Sequence, residues 1–189
     1  MSLPVQLRNR LCVPLLIIYW AFGTQLHADQ NAEELPALFD ELKQASSHSE
    51  ASRIESIIWQ HWLEAPDEKS GQLMRKITSA MSAGDLAIAL EHSDELLESY
   101  PDYAEAWNKR ATLHYILGDN EASVADIGET LSREPRHFGA ISGLGLIFIK
   151  EQNFDAALNA FEKVLEISPA SNNAKSSVER VRSEIGREI

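Results

Sequence analysis

The residues of this chain best suited to chemistry are its histidines and carboxylates, and their spacing assembles no site. His48 falls in a serine-rich cluster, His61 lies between Trp59 and Trp62, His92 sits in an acidic stretch, His114 is in mid-helix and His137 is at a joint between segments. A metal ion needs at least three converging ligands, and no two of these histidines stand three or four positions apart. His92 with Glu91, Asp94 and Glu95 is the best cluster available, and it reads as a solvated helix face. Gly143-Leu144-Gly145 is half of a dinucleotide-binding fingerprint, but it lies inside a helical pattern with no strand before it. There is no phosphate loop, no nucleophile elbow and no pair of cysteines. The expectation is a chain with no catalytic residue, no metal and no cofactor.

What remains is a problem of surfaces, and the elements that form them recur. Trp107, Ala111 and His114 stand at i, i+4 and i+7, one face of a helix that Gly118 ends. Residues 120–133 make a second helix with Val124, Ile127, Thr130 and Leu131 facing inward, and Pro135 stops it. Ile141, Gly145, Phe154, Ala157, Phe161, Leu165 and Pro169 repeat the pattern. Pro101, Pro135 and Pro169 are spaced by 34 residues, and Leu73, Gly84-Asp85, Ala89 and Leu97 hold the same register before them. Small residues at Ala111, Ala122, Gly145 and Ala156 let paired helices approach closely. A helical unit of this period cannot bury its apolar face alone and must stack on copies of itself.

On these residues the chain resembles the tetratricopeptide repeat (TPR) family, whose pattern is a Trp, a small residue four on, Gly-Asp at the turn, Ala in the second helix and a closing Pro. The resemblance covers residues 70–171. It implies an all-α solenoid, a right-handed superhelix of about nine helices, with repeats at 70–103, 104–137 and 138–171. Arg110 departs from the family's Leu and Ser123 from its Ala. A partly buried arginine needs a carboxylate, and Asp126 on the following helix is the expected partner, with ligand capture the alternative.

Residues 1–28 read as a secretory signal peptide: Arg8 and Arg10 without acids, an apolar run over 11–23, and Leu26-His27-Ala28 before Asp29. A retained anchor is the alternative. Removing them takes the only cysteine, Cys12, and shifts the net charge from −12 to −14, because two arginines and no acid leave. Such acidity excludes a nucleic-acid phosphate backbone as partner and disfavours anionic membrane surfaces. Residues 29–69 read as a flexible start and a degenerate capping pair. Its helices are 36–45, with Leu38, Leu42 and Ala45 on one side, and 50–63, with Ala51, Ile54, Ile58 and Trp62 inward. Residues 172–189 read as a C-terminal cap with Ala174, Val178, Val181 and Ile185 in one stripe.

Stretches 107–112 and 134–140 are similar to segments of small exported bacterial TPR proteins, which implies a periplasmic address. The function implied is protein interaction: a scaffold holding a peptide segment of an envelope protein, with an envelope holdase or assembly chaperone as the first alternative and a ligand or metal carrier or an enzyme as the second. In stacked pairs the first helices line the concave side, which points to Met74, Thr78 and Met81, then Asn108, Thr112 and Tyr115, then Ser142, Leu146 and Ile149 as the groove. Met74, Thr78, Lys109, Gly139 and Gly143 stand where some TPR proteins clamp a C-terminal carboxylate, so only one cation is present and no such clamp is expected. The expected ligand is a short, partly apolar peptide bound at about micromolar strength, or about −8 kcal/mol. The acidic run from Asp85 to Glu105, seven acids without a Lys or Arg, is the competing surface.

Overall fold

The computed structural model describes residues 34–187. The signal-peptide reading of residues 1–28 lies outside them. Among the described residues there are nine helices and no strand. They are α1 (Leu35–Gln44), α2 (His48–Leu63), α3 (Glu68–Ala83), α4 (Leu86–Ser99), α5 (Ala104–Leu117), α6 (Asn120–Arg133), α7 (Phe138–Lys150), α8 (Phe154–Ile167) and α9 (Asn172–Ile185). None of them is long and apolar enough to cross a membrane.

Local chemistry sets the helix ends. Asp67 accepts from the Ser70 N–H at 2.8 Å while the Ser70 hydroxyl accepts from the Asp67 N–H at 2.9 Å, a reciprocal cap that starts α3. Gly84 and Gly118 end α3 and α5 with φ of +82° and +87°, a conformation open to glycine at no steric cost. The equivalent place in the next repeat, 34 residues on, holds Gln152 with φ +59°. There the left-handed turn survives without its glycine, because the Asn153 N–H still reaches the Phe148 carbonyl at 2.8 Å.

α3–α4, α5–α6 and α7–α8 are the three stacked pairs, and α9 covers the last one through Val178 and Val181. Leu73, Ile77, Leu96 and Leu113 form the first repeat's core, which Trp107 joins half-buried. Ala111, Ile127, Ala140 and Ile147 make the second. The close approach expected at Gly145 is present: a Cβ there would stand 2.6 Å from the Phe161 ring. Val124 is not inward as its spacing suggested; it is 38% exposed, while Ser123 one residue earlier is buried and donates to the Ala111 carbonyl at 2.8 Å.

α1 and α2 pack somewhere the sequence did not indicate. Ala51, Ile54, Ile58 and Trp62 are buried as read, and Phe39 joins Leu42 inside α1. Their core, however, is shared with Phe138, Ile141, Ala160, Val164 and Ala174 of α7, α8 and α9. α2 crosses the repeat joints in order. The Tyr103 hydroxyl donates to the Leu63 carbonyl at 3.0 Å, Trp62 and Trp59 meet His137 and Phe138, and the Ser168 hydroxyl donates to Glu55 at 2.7 Å. The physical reason is area: a face carrying two indoles needs a large apolar counterpart, and the starts of α7 and α9 supply it.

Candidate peptide-binding groove

The inner face is shaped by the joint between the second and third repeats, where two ionisable groups are fully buried. Glu105, in the first turn of α5, and His137, which caps α7, are both 0% exposed. His137 Nδ1 accepts the Ala140 N–H at 3.1 Å, so its proton is on Nε2, which stands 3.1 Å from Glu105 Oε2 and donates to it. The Asn108 amide donates to the same oxygen at 2.9 Å, and the Lys109 ammonium stands 3.1 Å from Oε1. Burial opposes ionisation of Glu105, but the His137 hydrogen bond, the Lys109 charge and the Asn108 amide outweigh it and hold the carboxyl below its usual range. Burial, then the neighbouring Glu105 charge, push the Tyr103 phenol well above its ordinary value. Trp62 lies flat on His137 with centroids 4.0 Å apart, and Trp59 meets it edge-on at 5.3 Å.

This joint sets how α7 sits against α5, and between them lies a pocket of about 190 Å³. Asn108, Thr112 and Tyr115 of α5 line it with Ser142 and Leu146 of α7, over a floor that includes Ala111, Ile127 and Ile147. Five of the nine residues assigned to the groove from sequence are thus brought together. None of the pocket's lining residues is charged. Thr112 is exposed, Leu146 is 40% exposed and Tyr115 and Ser142 are half-buried. Asn108 is 9% exposed and committed to Glu105, so it forms wall rather than free donor.

The other four lie elsewhere. Met74 is buried in the first repeat's core, Met81 packs against that core, and Thr78 is exposed with its hydroxyl turned back to the Met74 carbonyl at 2.9 Å. Ile149 packs into the α7–α8–α9 cluster. A second pocket, about 270 Å³, adjoins the first through Ser142 and Leu146. It is walled by Glu55 and Trp59 of α2, Phe138 of α7, Phe161 of α8 and Asn173 and Ser177 of α9. Sequence reasoning did not place Glu55 and Trp59 beside Ser142 and Leu146, because nothing in the spacing of α2 says that it lies over α7.

Arg110 has the partner expected of it. Its Nε and Nη2 donate to Asp126 at 2.8 Å each, and Nη1 donates to Asp94 at 2.7 Å. The Asp126 hydrogen bond outweighs burial and, with Asp94, raises the guanidinium further above its already high value. Of the acidic run, Asp94 is therefore engaged and Glu105 is buried, so the solvated face is smaller than the sequence suggested.

Stacked helix pairs, with an uncharged pocket between the first helices of the second and third, define a helical-repeat solenoid. Residues 74–128 and 110–172 match the family model described as Tetratricopeptide repeat. A TPR repeat-containing protein of Rhizobium etli is 36% identical over 146 residues, spanning 77% of this chain and 72% of the relative. This chain belongs to the tetratricopeptide repeat family. Among solved structures it is similar to the Sgt2 TPR domain from Aspergillus fumigatus, with a TM-score of 0.60 and 23% identity over 66% of this chain and 83% of that one. The first TPR of Spaghetti (RPAP3), bound to HSP90 peptide SRMEEVD, gives a TM-score of 0.59 and 18% identity over 63% of this chain and 94% of that one.

Proposed function

We propose that this protein is a non-catalytic interaction module that holds a short, partly apolar peptide segment of an envelope protein in the trough between α5 and α7. The observation that carries this reading is the uncharged lining on a strongly acidic chain: Thr112, Tyr115, Ser142 and Leu146 meet over an apolar floor, while the net charge is −12. The Thr112 and Ser142 hydroxyls donate to the Asn108 and Phe138 carbonyls of their own helices at 2.9 and 2.7 Å, so each offers a peptide N–H an acceptor oxygen, and Leu146 and Tyr115 give apolar contact. The peptide seen on RPAP3 ends in acids, and a ligand of that kind has little to hold it here. Lys109, the one cation at a clamp position, is already paired to Glu105 at 3.1 Å.

The proposed address is the periplasm, on the strength of the basic, apolar and small-residue order of residues 1–28. N-terminal sequencing of the exported protein gives Asp29 or a near neighbour under this reading, and a retained Met1 in the membrane fraction refutes it. For the groove, a peptide array probed with the protein gives binders that Thr112→Arg and Leu146→Arg each lose while helicity and melting stay unchanged. If both variants still bind, and Lys at Asp94, Glu95 and Glu98 removes binding instead, the acidic face is the working surface.

A further inference from the structure

The trough does not stop at α7. Its two pockets share Ser142 and Leu146, one helical turn apart, so they form one path from Tyr115 on α5 past α7 to Asn173 and Ser177 on α9. Along all of it, among the described residues, Glu55 is the one carboxylate, and no Lys, Arg or His lines it. Its position is fixed: Oε1 takes the hydroxyl hydrogen of Ser168, which is fully buried, at 2.7 Å. No cation among the described residues pairs with it, in contrast to Glu105, Asp126, Glu134 and Glu129, each of which has its Lys or Arg.

A half-buried carboxylate held in place and left without a counter-charge is complementary to a cation brought by a ligand. Its neighbours suit the same guest. Trp59 lines the same pocket, and an indole beside a cation attracts it; Ser171, Asn173 and Ser177 on the same wall carry hydroxyl and amide oxygens for the remaining N–H donors. An acidic ligand there would meet Glu55 with like charge at close range, and a purely apolar one would leave the carboxylate desolvated without a counter-charge, a cost that discriminates strongly.

We propose that the trough reads a basic–apolar peptide: an apolar side chain seated between α5 and α7, and a neighbouring Lys or Arg seated between α2, α7 and α9 against Glu55. Glu55 is then the specificity residue, supplied by α2 and not by the repeats. This rests on the groove reading above and adds to it the charge of the occupant. The net charge of −12 favours the approach of such a segment from a distance.

The test is fluorescence anisotropy of the full chain with labelled hexapeptides that keep one Leu fixed and vary a second position through Lys, Arg, norleucine and Glu. The expected result is that Lys and Arg peptides bind about ten- to a hundredfold more tightly than norleucine ones, the scale of one charge-assisted hydrogen bond. Glu55→Gln, which can still accept from Ser168, abolishes that preference by weakening the Lys and Arg peptides and tightening the norleucine ones, which no longer desolvate a charge, and Glu55→Lys turns it toward the Glu peptides. A preference for Lys that survives Glu55→Gln overturns the assignment of Glu55. Binding that is lost in Leu146→Arg but indifferent to peptide charge overturns this inference and leaves the groove standing. Absence of binding by every peptide of the set defeats both.

Discussion

His137 lies flat against Trp62, with planes 12° apart and centroids 4.0 Å apart, while its Nε2 reaches Glu105 at 3.1 Å. One imidazole thereby joins three parts of the chain. It caps α7, pairs with α5 across the repeat joint and carries α2 on its face. Stability and groove geometry are coupled at this point, since the same contacts that bury Glu105 place Trp59 and Glu55 beside Leu146.

The first expected outcome is a pH dependence that belongs to Glu105. Its carboxyl titrates below the ordinary value of 4.5 when folded, so its contribution is complete above that pH and is lost as pH falls through the folded value. Glu105→Gln keeps an acceptor for His137 and removes the charge. Urea unfolding at pH 7 is expected to show a loss of about 1–3 kcal/mol, and the wild-type and variant curves are expected to converge below pH 4.5. A gap that persists unchanged at low pH would mean that packing, not ionisation, sets the effect.

Identical substitutions at two glycines are expected to have opposite signs. Gly128 lies in α6 with nothing within 4 Å of a new Cβ, so Gly128→Ala stabilises by about 0.5–1 kcal/mol through backbone entropy. A Cβ at Gly145 would stand 2.6 Å from the buried Phe161 ring. There the overpacking cost, about 1–3 kcal/mol, exceeds the helix-propensity gain. Thermal melts of the two variants decide it.

Gln152 gives a third case. A non-glycine residue at φ +59° is strained by about 1 kcal/mol, so Gln152→Gly is expected to raise the melting temperature although it removes a side chain. No change would show that the turn relaxes freely.

Arg110 and Asp126 are expected to be coupled. A double-mutant cycle with Arg110→Ala and Asp126→Ala should return a coupling of about 1–3 kcal/mol, because Asp126 is 4% exposed and loses both its hydrogen bonds when the guanidinium goes. Additive effects would show that water replaces the arginine at no cost.

Trp107→Ala is expected to cost about 3 kcal/mol, the low end for a core aromatic. The indole is half-buried, donates to the Pro101 carbonyl at 2.7 Å and is flanked by the guanidinium groups of Arg110 and Arg133 at 4.9 and 5.1 Å. Chemical denaturation measures it, and loss of peptide binding without loss of stability would make Trp107 a ligand contact.

Whatever depends on neighbours within one repeat was legible in the chain itself. The 34-residue register, the helix spans of α5 and α6, the Gly84 and Gly118 turns and the Arg110–Asp126 pair all follow from periodicity and from the rule that a buried charge must be matched. That Thr112, Tyr115, Ser142 and Leu146 share one face was also legible, because they are the polar and apolar remainder of helices whose other face packs, and the structure brings them to one pocket. Tertiary structure alone decided where α1 and α2 lie, and with them the far wall of the trough. Periodicity says that a helix has an apolar face but carries no information about which distant surface covers it. For the same reason Glu105 read as one more solvated acid, although its partner His137, 32 residues away, makes it a buried one.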